Sequence, residues 1–152
     1  MFFYTRIDNP LVLTENDLGE YEYLQPEGFL DTKGLETNIK FTYGHYKLFI
    51  GYTYADVNQH YSGSISAYPL VANHRLNNVL IYEVHDDLRI GLEAYYFSPQ
   101  KLNDGSTGRD YWIFGLMTEK KLGSFSLFLN FENFTDTRQT KWGPIYTGSI
   151  TD

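Results

Sequence analysis

Tyr46-Lys47-Leu48-Phe49-Ile50-Gly51-Tyr52-Thr53-Tyr54-Ala55 alternates strictly between two kinds of side chain. Tyr46, Leu48, Ile50, Tyr52 and Tyr54 form one stripe, with tyrosines at its ends and aliphatic residues at its centre. Lys47, Phe49, Gly51, Thr53 and Ala55 form the other. Period-two alternation means a strand with two unlike faces. An apolar centre flanked by aromatic rings matches a lipid-facing barrel strand, whose rings sit at the two membrane interfaces.

Neighbouring stretches repeat the pattern. Leu35, Thr37, Ile39, Phe41 and Tyr43 oppose Glu36, Asn38, Lys40 and Thr42. Leu88, Ile90, Leu92, Ala94 and Tyr96 oppose Arg89, Gly91, Glu93 and Tyr95, and Phe125, Leu127, Leu129 and Phe131 oppose Ser126, Phe128, Asn130 and Glu132. Lys40, Arg89, Glu93 and Glu132 would then line a wet interior. On the lipid side, a midplane Arg or Lys costs roughly 2–4 kcal/mol. Val79, Ile81 and Ile113 place apolar groups on the inner face too, which implies an interior partly filled by protein.

Strands are predicted at 1–8, 29–43, 46–57, 75–85, 88–98, 108–120 and 124–135. Tight turns are expected at Tyr43-Gly44-His45, His85-Asp86-Asp87 and Lys121-Leu122-Gly123, and longer Gly-, Pro-, Asn- and Ser-rich loops at 9–28, 58–74, 99–107 and 136–152. Short turns on one rim and long loops on the other is the outer-membrane pattern. The fold expected is all-β: an antiparallel up-and-down transmembrane β-barrel fragment of about seven strands, open rather than closed. Residues 1–152 are read as one partial barrel domain, because closed single-chain barrels carry an even strand count.

Composition agrees. The chain holds 14 Tyr and 11 Phe among 152 residues, so strand-formers dominate. Without cysteine there is no disulfide scaffold and no thiolate metal site. A net charge of -7 with no basic run excludes a nucleic-acid surface. No apolar stretch reaches the length of a membrane helix. Nothing at Met1 resembles a signal peptide, and Phe2-Phe3-Tyr4 reads as if already inside a strand, so an amino-terminal part is expected outside this sequence.

Five stretches in order carry a family resemblance: Tyr4-Thr5-Arg6-Ile7-Asp8-Asn9-Pro10-Leu11-Val12; Thr32-Lys33-Gly34-Leu35-Glu36; Tyr52-Thr53-Tyr54-Ala55-Asp56; Pro69 with His74-Arg75-Leu76-Asn77; and Glu132-Asn133-Phe134-Thr135-Asp136. Their order and spacing resemble the carboxy-terminal third of the barrel of TonB-dependent outer-membrane receptors. Trp142-Gly143-Pro144-Ile145-Tyr146-Thr147-Gly148 resembles the last extracellular loop of receptors from the Bacteroidetes side of that family. The family's plug domain, TonB box and terminal strand have no counterpart here. The resemblance implies a bacterial outer-membrane location and energised import of a scarce ligand: a ferric siderophore, cobalamin, or a glycan or peptide. Implied partners are outer-membrane lipid, the nutrient ligand, and the TonB complex acting through the missing amino-terminal part. No cofactor, covalent chemistry or nucleic acid is implied.

Candidate ligand contacts are His60, Tyr61, Tyr68, Trp142 and Tyr146, all in predicted outer loops. No catalytic or metal-ligating residues are assigned. His60 and His74 lack tight ligand spacing, and His85-Asp86-Asp87 is accounted for by a polar hairpin turn. Asn103-Asp104-Gly105-Ser106 lacks the alternating acids and closing glutamate of a calcium loop. Glu36, Glu93 and Glu132 lie on separate strands, and no nucleophile elbow, phosphate loop or zinc-protease helix is present. The alternative reading is a self-contained small β-barrel that binds a hydrophobic ligand inside, and a closed ladder between first and last strands would mark it.

Overall fold

The alternating stretch forms one arm of the longest hairpin. Gly28–Tyr43 (β4) and Tyr46–Tyr61 (β5) pair antiparallel along their whole length, from Tyr43 opposite Tyr46 to Gly28 opposite Tyr61. Gly44, at φ 54, supplies the left-handed backbone of the two-residue turn between them. The computed structural model describes residues 1–143 other than Asp17, Ser62 and Asp86.

The remaining strands are Phe2–Asp8 (β1), Val12–Glu15 (β2), Tyr21–Leu24 (β3), Ser64–Ala67 (β6), His74–Val84 (β7), Leu88–Phe97 (β8), Tyr111–Leu122 (β9) and Phe125–Phe131 (β10). The main sheet runs β1-β4-β5-β7-β8-β9-β10, with β6 on the upper part of β5. All its pairings are antiparallel. No ladder joins β1 to β10, so the sheet is open, and the mark of the self-contained barrel is missing.

Three short strands depart from the expected loops. β2 and β3 form a separate hairpin within 9–28, and β6 lies within 58–74. β5 itself runs on to Tyr61. Asn58, Gln59 and His60 are polar on both faces, so amphipathic alternation, the signal of a strand, fades there although the ladder continues. β9 runs from Tyr111 to Leu122 where 108–120 is expected, and its turn is Gly123-Ser124 rather than 121–123. β10 stops at Phe131 rather than 135. There Asn133, at φ 46, accepts from Thr137 N at 2.9 Å and donates to Thr137 O at 3.0 Å, which turns the chain out of the sheet.

Register aligns one face across the sheet. Tyr43, Tyr46 and Tyr82 lie in a row at the short-turn end. Leu48, Leu80, Leu92 and Leu116 form the next row. Leu35, Tyr54 and His74 line up at the opposite end, with Leu76, Tyr96 and Trp112 beside them. Residues 46–54 of β5 match the roughly 9–11 residues that a tilted strand needs to cross a bilayer. Beyond Tyr54 the same face turns polar, through Lys33, Asp31, Asp56, Asn58 and His60.

No described residue forms a layer over this face. Among the described residues only Ala55 and Ala72 are buried apolar ones, and no large side chain is fully buried. The chain exposes 10874 Å², against about 8,000 Å² for a globular monomer of its mass. A single sheet with no second layer must cover its apolar face with something other than water. Hydrocarbon fits a band bounded by aromatic rings.

The inner face is polar near its base. Glu83 accepts from Lys47 and from Arg89 (3.0 Å), and Arg89 also reaches Glu119 at 3.4 Å. This chain of ion pairs ties β5, β7, β8 and β9 together on the side away from the apolar band. Higher up, Glu93 accepts from the Tyr95 hydroxyl at 2.9 Å, and Glu36 and Glu132 accept from Asn38 and Asn130. Of the apolar inner residues expected from sequence, Val79 faces Phe49, Ile81 lies between Lys47 and Gly91, and Ile113 pairs with Tyr95.

Candidate functional site

The long connections gather at the rim opposite the short turns. Strand parity decides which of their side chains face inward. Tyr61 shares the inner face with Gln59, and Phe97 and Tyr111 continue that face on β8 and β9. The Phe97 and Tyr111 rings stack at 5.0 Å and 16°. Trp142, in the segment after β10, lies 6.2 Å from Tyr111. The buried Gln100 amide donates to the Tyr111 hydroxyl at 3.3 Å, anchoring the wall from the β8–β9 loop.

Beside this wall lies a cleft of about 260 Å³, lined among others by Leu102, Thr107, Arg109, Gln139 and Trp142. Arg109 and Trp142 approach from different loops, and both are exposed. A second cleft, of about 350 Å³, lies between β5–β6 and the same β8–β9 loop, with Gln59, Pro69 and Lys101 in its lining. Leu102 belongs to both. Leu70 N donates to Lys101 O at 2.7 Å, which holds the two loops to each other, and the Lys101 ammonium donates to Thr107 at 2.8 Å within the β8–β9 loop.

Two buried polar atoms at this rim have no hydrogen-bond partner among the described residues: the Tyr61 hydroxyl and Gln139 Nε2. Natural proteins rarely leave such groups unpaired, and Gln139 lines the first cleft. Burial, then the neighbouring Tyr68, pushes the Tyr61 hydroxyl above its ordinary pKa, so it stays a neutral donor. Asp136 is held well below the ordinary carboxylate range by Arg138 and Lys141, which fixes the segment leading to Trp142.

The candidate contacts separate. Tyr61 and Tyr68 are neighbours on the inner side of the rim, and Trp142 walls the first cleft. Tyr146 lies outside the described residues. His60 sits on the opposite face from Tyr61: its Nε2 is 2.8 Å from Asp31 Oδ1, and its ring stacks on Phe29 at 4.1 Å. His74 is likewise on the outward face, with Nδ1 2.8 Å from the Tyr52 hydroxyl. The Asp104 turn is closed on Ser106, whose N–H and O–H both donate to Asp104 Oδ1. Among the described residues no three His, Asp or Glu side chains converge on a metal position. Phe97, Gln100, Arg109, Tyr111 and Gln139 were not singled out from sequence. Parity, of Phe97 with Tyr95 and of Tyr111 with Ile113, is the signal that could have flagged two of them.

No family model and no curated protein matches this sequence. Solved structures do. The ferric-catecholate import receptor Fiu from E. coli K12 is 22% identical with a TM-score of 0.60, over 90% of this chain and 20% of that one. The ferripyoverdine receptor of the Pseudomonas aeruginosa outer membrane, solved with ferripyoverdine bound, is 20% identical with a TM-score of 0.62, again over 90% and 20%. At these identities the likeness is one of fold: an open antiparallel sheet built as a segment of a receptor barrel. The chain spans about a fifth of each receptor it matches.

Proposed function

We propose that these residues form the carboxy-terminal part of the barrel wall of a TonB-dependent outer-membrane receptor, importing a scarce nutrient. The observation that carries the reading is an uncovered apolar band, bounded by aromatic rows, on a sheet that matches two such receptors along 90% of its length. The free edges of β1 and β10 pair with barrel strands outside this sequence, since an exposed edge of this length invites aggregation. The plug and the TonB-contacting segment lie in the amino-terminal part of the receptor. The long-loop rim faces outward and the short turns face the periplasm.

Both neighbours favour a ferric siderophore as the cargo over cobalamin, glycan or peptide. The rim suits it. Aromatic rings at Tyr61, Tyr68, Tyr111 and Trp142 supply flat apolar surface, Arg109 supplies a cation for an acidic chelate, and Gln139 supplies an unpaired donor. Binding and energised release need no covalent step. Uptake of radioactive iron from a ferric catecholate is expected in cells carrying the receptor, and is expected to vanish on deletion of the receptor or of TonB. Uptake that survives loss of TonB would overturn the transport reading.

Trp142→Ala and Arg109→Ala are each expected to weaken ferric-catecholate binding by about 2 kcal/mol, roughly thirtyfold in Kd, as for central aromatic and Arg contacts. The amount of folded receptor in the outer membrane should not change, because both side chains are exposed on loops. Unchanged affinity in both variants would place the ligand elsewhere on the rim.

A further inference from the structure

The short-turn rim holds a pair of histidines that barrel building does not use. β5 follows the Gly44-His45 turn and pairs with β7, which leads into the turn that begins at His85, so the two turns are neighbours. The His45 and His85 ring centroids are 5.8 Å apart, with planes at 51°. Both residues are exposed.

His45 is already held as a ligand would be. Its Nδ1 lies 2.9 Å from the backbone oxygen of Glu83. A carbonyl oxygen only accepts, so Nδ1 carries the proton and Nε2 keeps its lone pair. Ligating histidines are commonly oriented by such a bond from the other ring nitrogen. The Tyr82 ring meets His45 edge-on at 6.0 Å and packs against Tyr46 at 5.0 Å, which fixes the imidazole further. His85 takes φ 45, a turn conformation in which histidine is one of the better tolerated residues. The other two histidines are engaged elsewhere, with Asp31 and Tyr52.

We propose that His45 and His85 form a two-imidazole site for a late first-row divalent ion. With nitrogen–metal bonds of about 2.0–2.1 Å, two rings on one ion have centroids about 5–6 Å apart, which is the separation seen. Among the described residues no third carboxylate or imidazole joins them. Imidazole ligands select Cu2+, Ni2+ and Zn2+ over Mg2+ and Ca2+, with Cu2+ bound tightest. A bound ion would clip two adjacent hairpin turns together at the base of the wall. The site depends on strand order alone, so it stands or falls independently of the import reading.

The test is Cu2+ titration of the full-length chain in detergent, followed by electron paramagnetic resonance. A saturable signal with two nitrogen ligands is expected, unaffected by Mg2+ and lowered only by a large excess of Zn2+. H45Q and H85N should each abolish it, and H74Q should leave it unchanged. Asn suits the left-handed turn at position 85, and heat-modifiable gel mobility confirms that each variant is folded; if H45Q fails that check, H85N carries the test. The proposal is overturned if the parent shows no such signal, or if the signal persists in folded H85N.

Discussion

Leu92→Arg is expected to cost about 2–4 kcal/mol and to deplete the folded protein from the outer membrane, the penalty for a cation near the bilayer midplane. Leu92 lies midway along β8, between Leu80 and Leu116, on the face that no described residue covers, and is 42% exposed. In water an arginine there would be harmless, because such exposure leaves room for a solvated side chain. The same charge at Asn130, on the inner face beside Glu132, should be nearly neutral. Folded protein quantified by heat-modifiable mobility in outer membranes reads both. Equal tolerance of Leu92→Arg and Asn130→Arg would remove the lipid from the account.

Gly34→Val is expected to destabilise the sheet by about 1–3 kcal/mol, the usual range for overpacking, through backbone displacement rather than side-chain adjustment. A Cβ at Gly34 would lie 2.0 Å from the Tyr54 carbonyl oxygen and 2.6 Å from the Phe3 ring. The ring could swing away, but the carbonyl belongs to the β4–β5 ladder and moves only with it. Gly44→Ala is the contrast. A Cβ there meets nothing within 4 Å, and its only cost is the left-handed φ, about 1 kcal/mol. Denaturant titration of the refolded protein in detergent should rank Gly34→Val well below Gly44→Ala. The reverse order would mean that β4 and β5 do not approach so closely at Gly34.

Where lipid meets protein, the sequence was easy to read, and above the membrane it was not. Residues 46–55 announce their fold because a bilayer on one side and a wet interior on the other force unlike residues onto alternate positions. Asn58, Gln59 and His60 belong to the same strand but have water or protein on both sides, so nothing forces alternation. That is why β5 was expected to end early and why His60 was placed with Tyr61. Counting parity onward from Ile50 would have turned His60 outward, toward Asp31 and Phe29.

The candidate cleft was less legible for a different reason. Arg109, Gln139 and Trp142 come from two segments that meet only once β8, β9 and β10 are in register. Register follows from turn length, and the last turn has two residues, Gly123-Ser124, where three are expected. In sequence Phe97 and Tyr111 are ordinary strand residues, and their stacking emerges from the cross-strand pairing alone. The unpaired Tyr61 hydroxyl and Gln139 amide have no trace in the sequence, since satisfaction of a polar group is a property of packing.

Cysteine scanning of β5 tests the central claim most directly, because these 152 residues contain no cysteine. Single cysteines placed from 47 to 54 in the full-length chain would be exposed, in outer membranes, to a water-soluble maleimide. The account predicts a two-residue period, with positions 48, 50 and 52 protected by lipid and 49, 51 and 53 reactive from the wet interior. Reactivity at 48, 50 and 52 with protection at 49, 51 and 53, or uniform labelling along the strand, would contradict it.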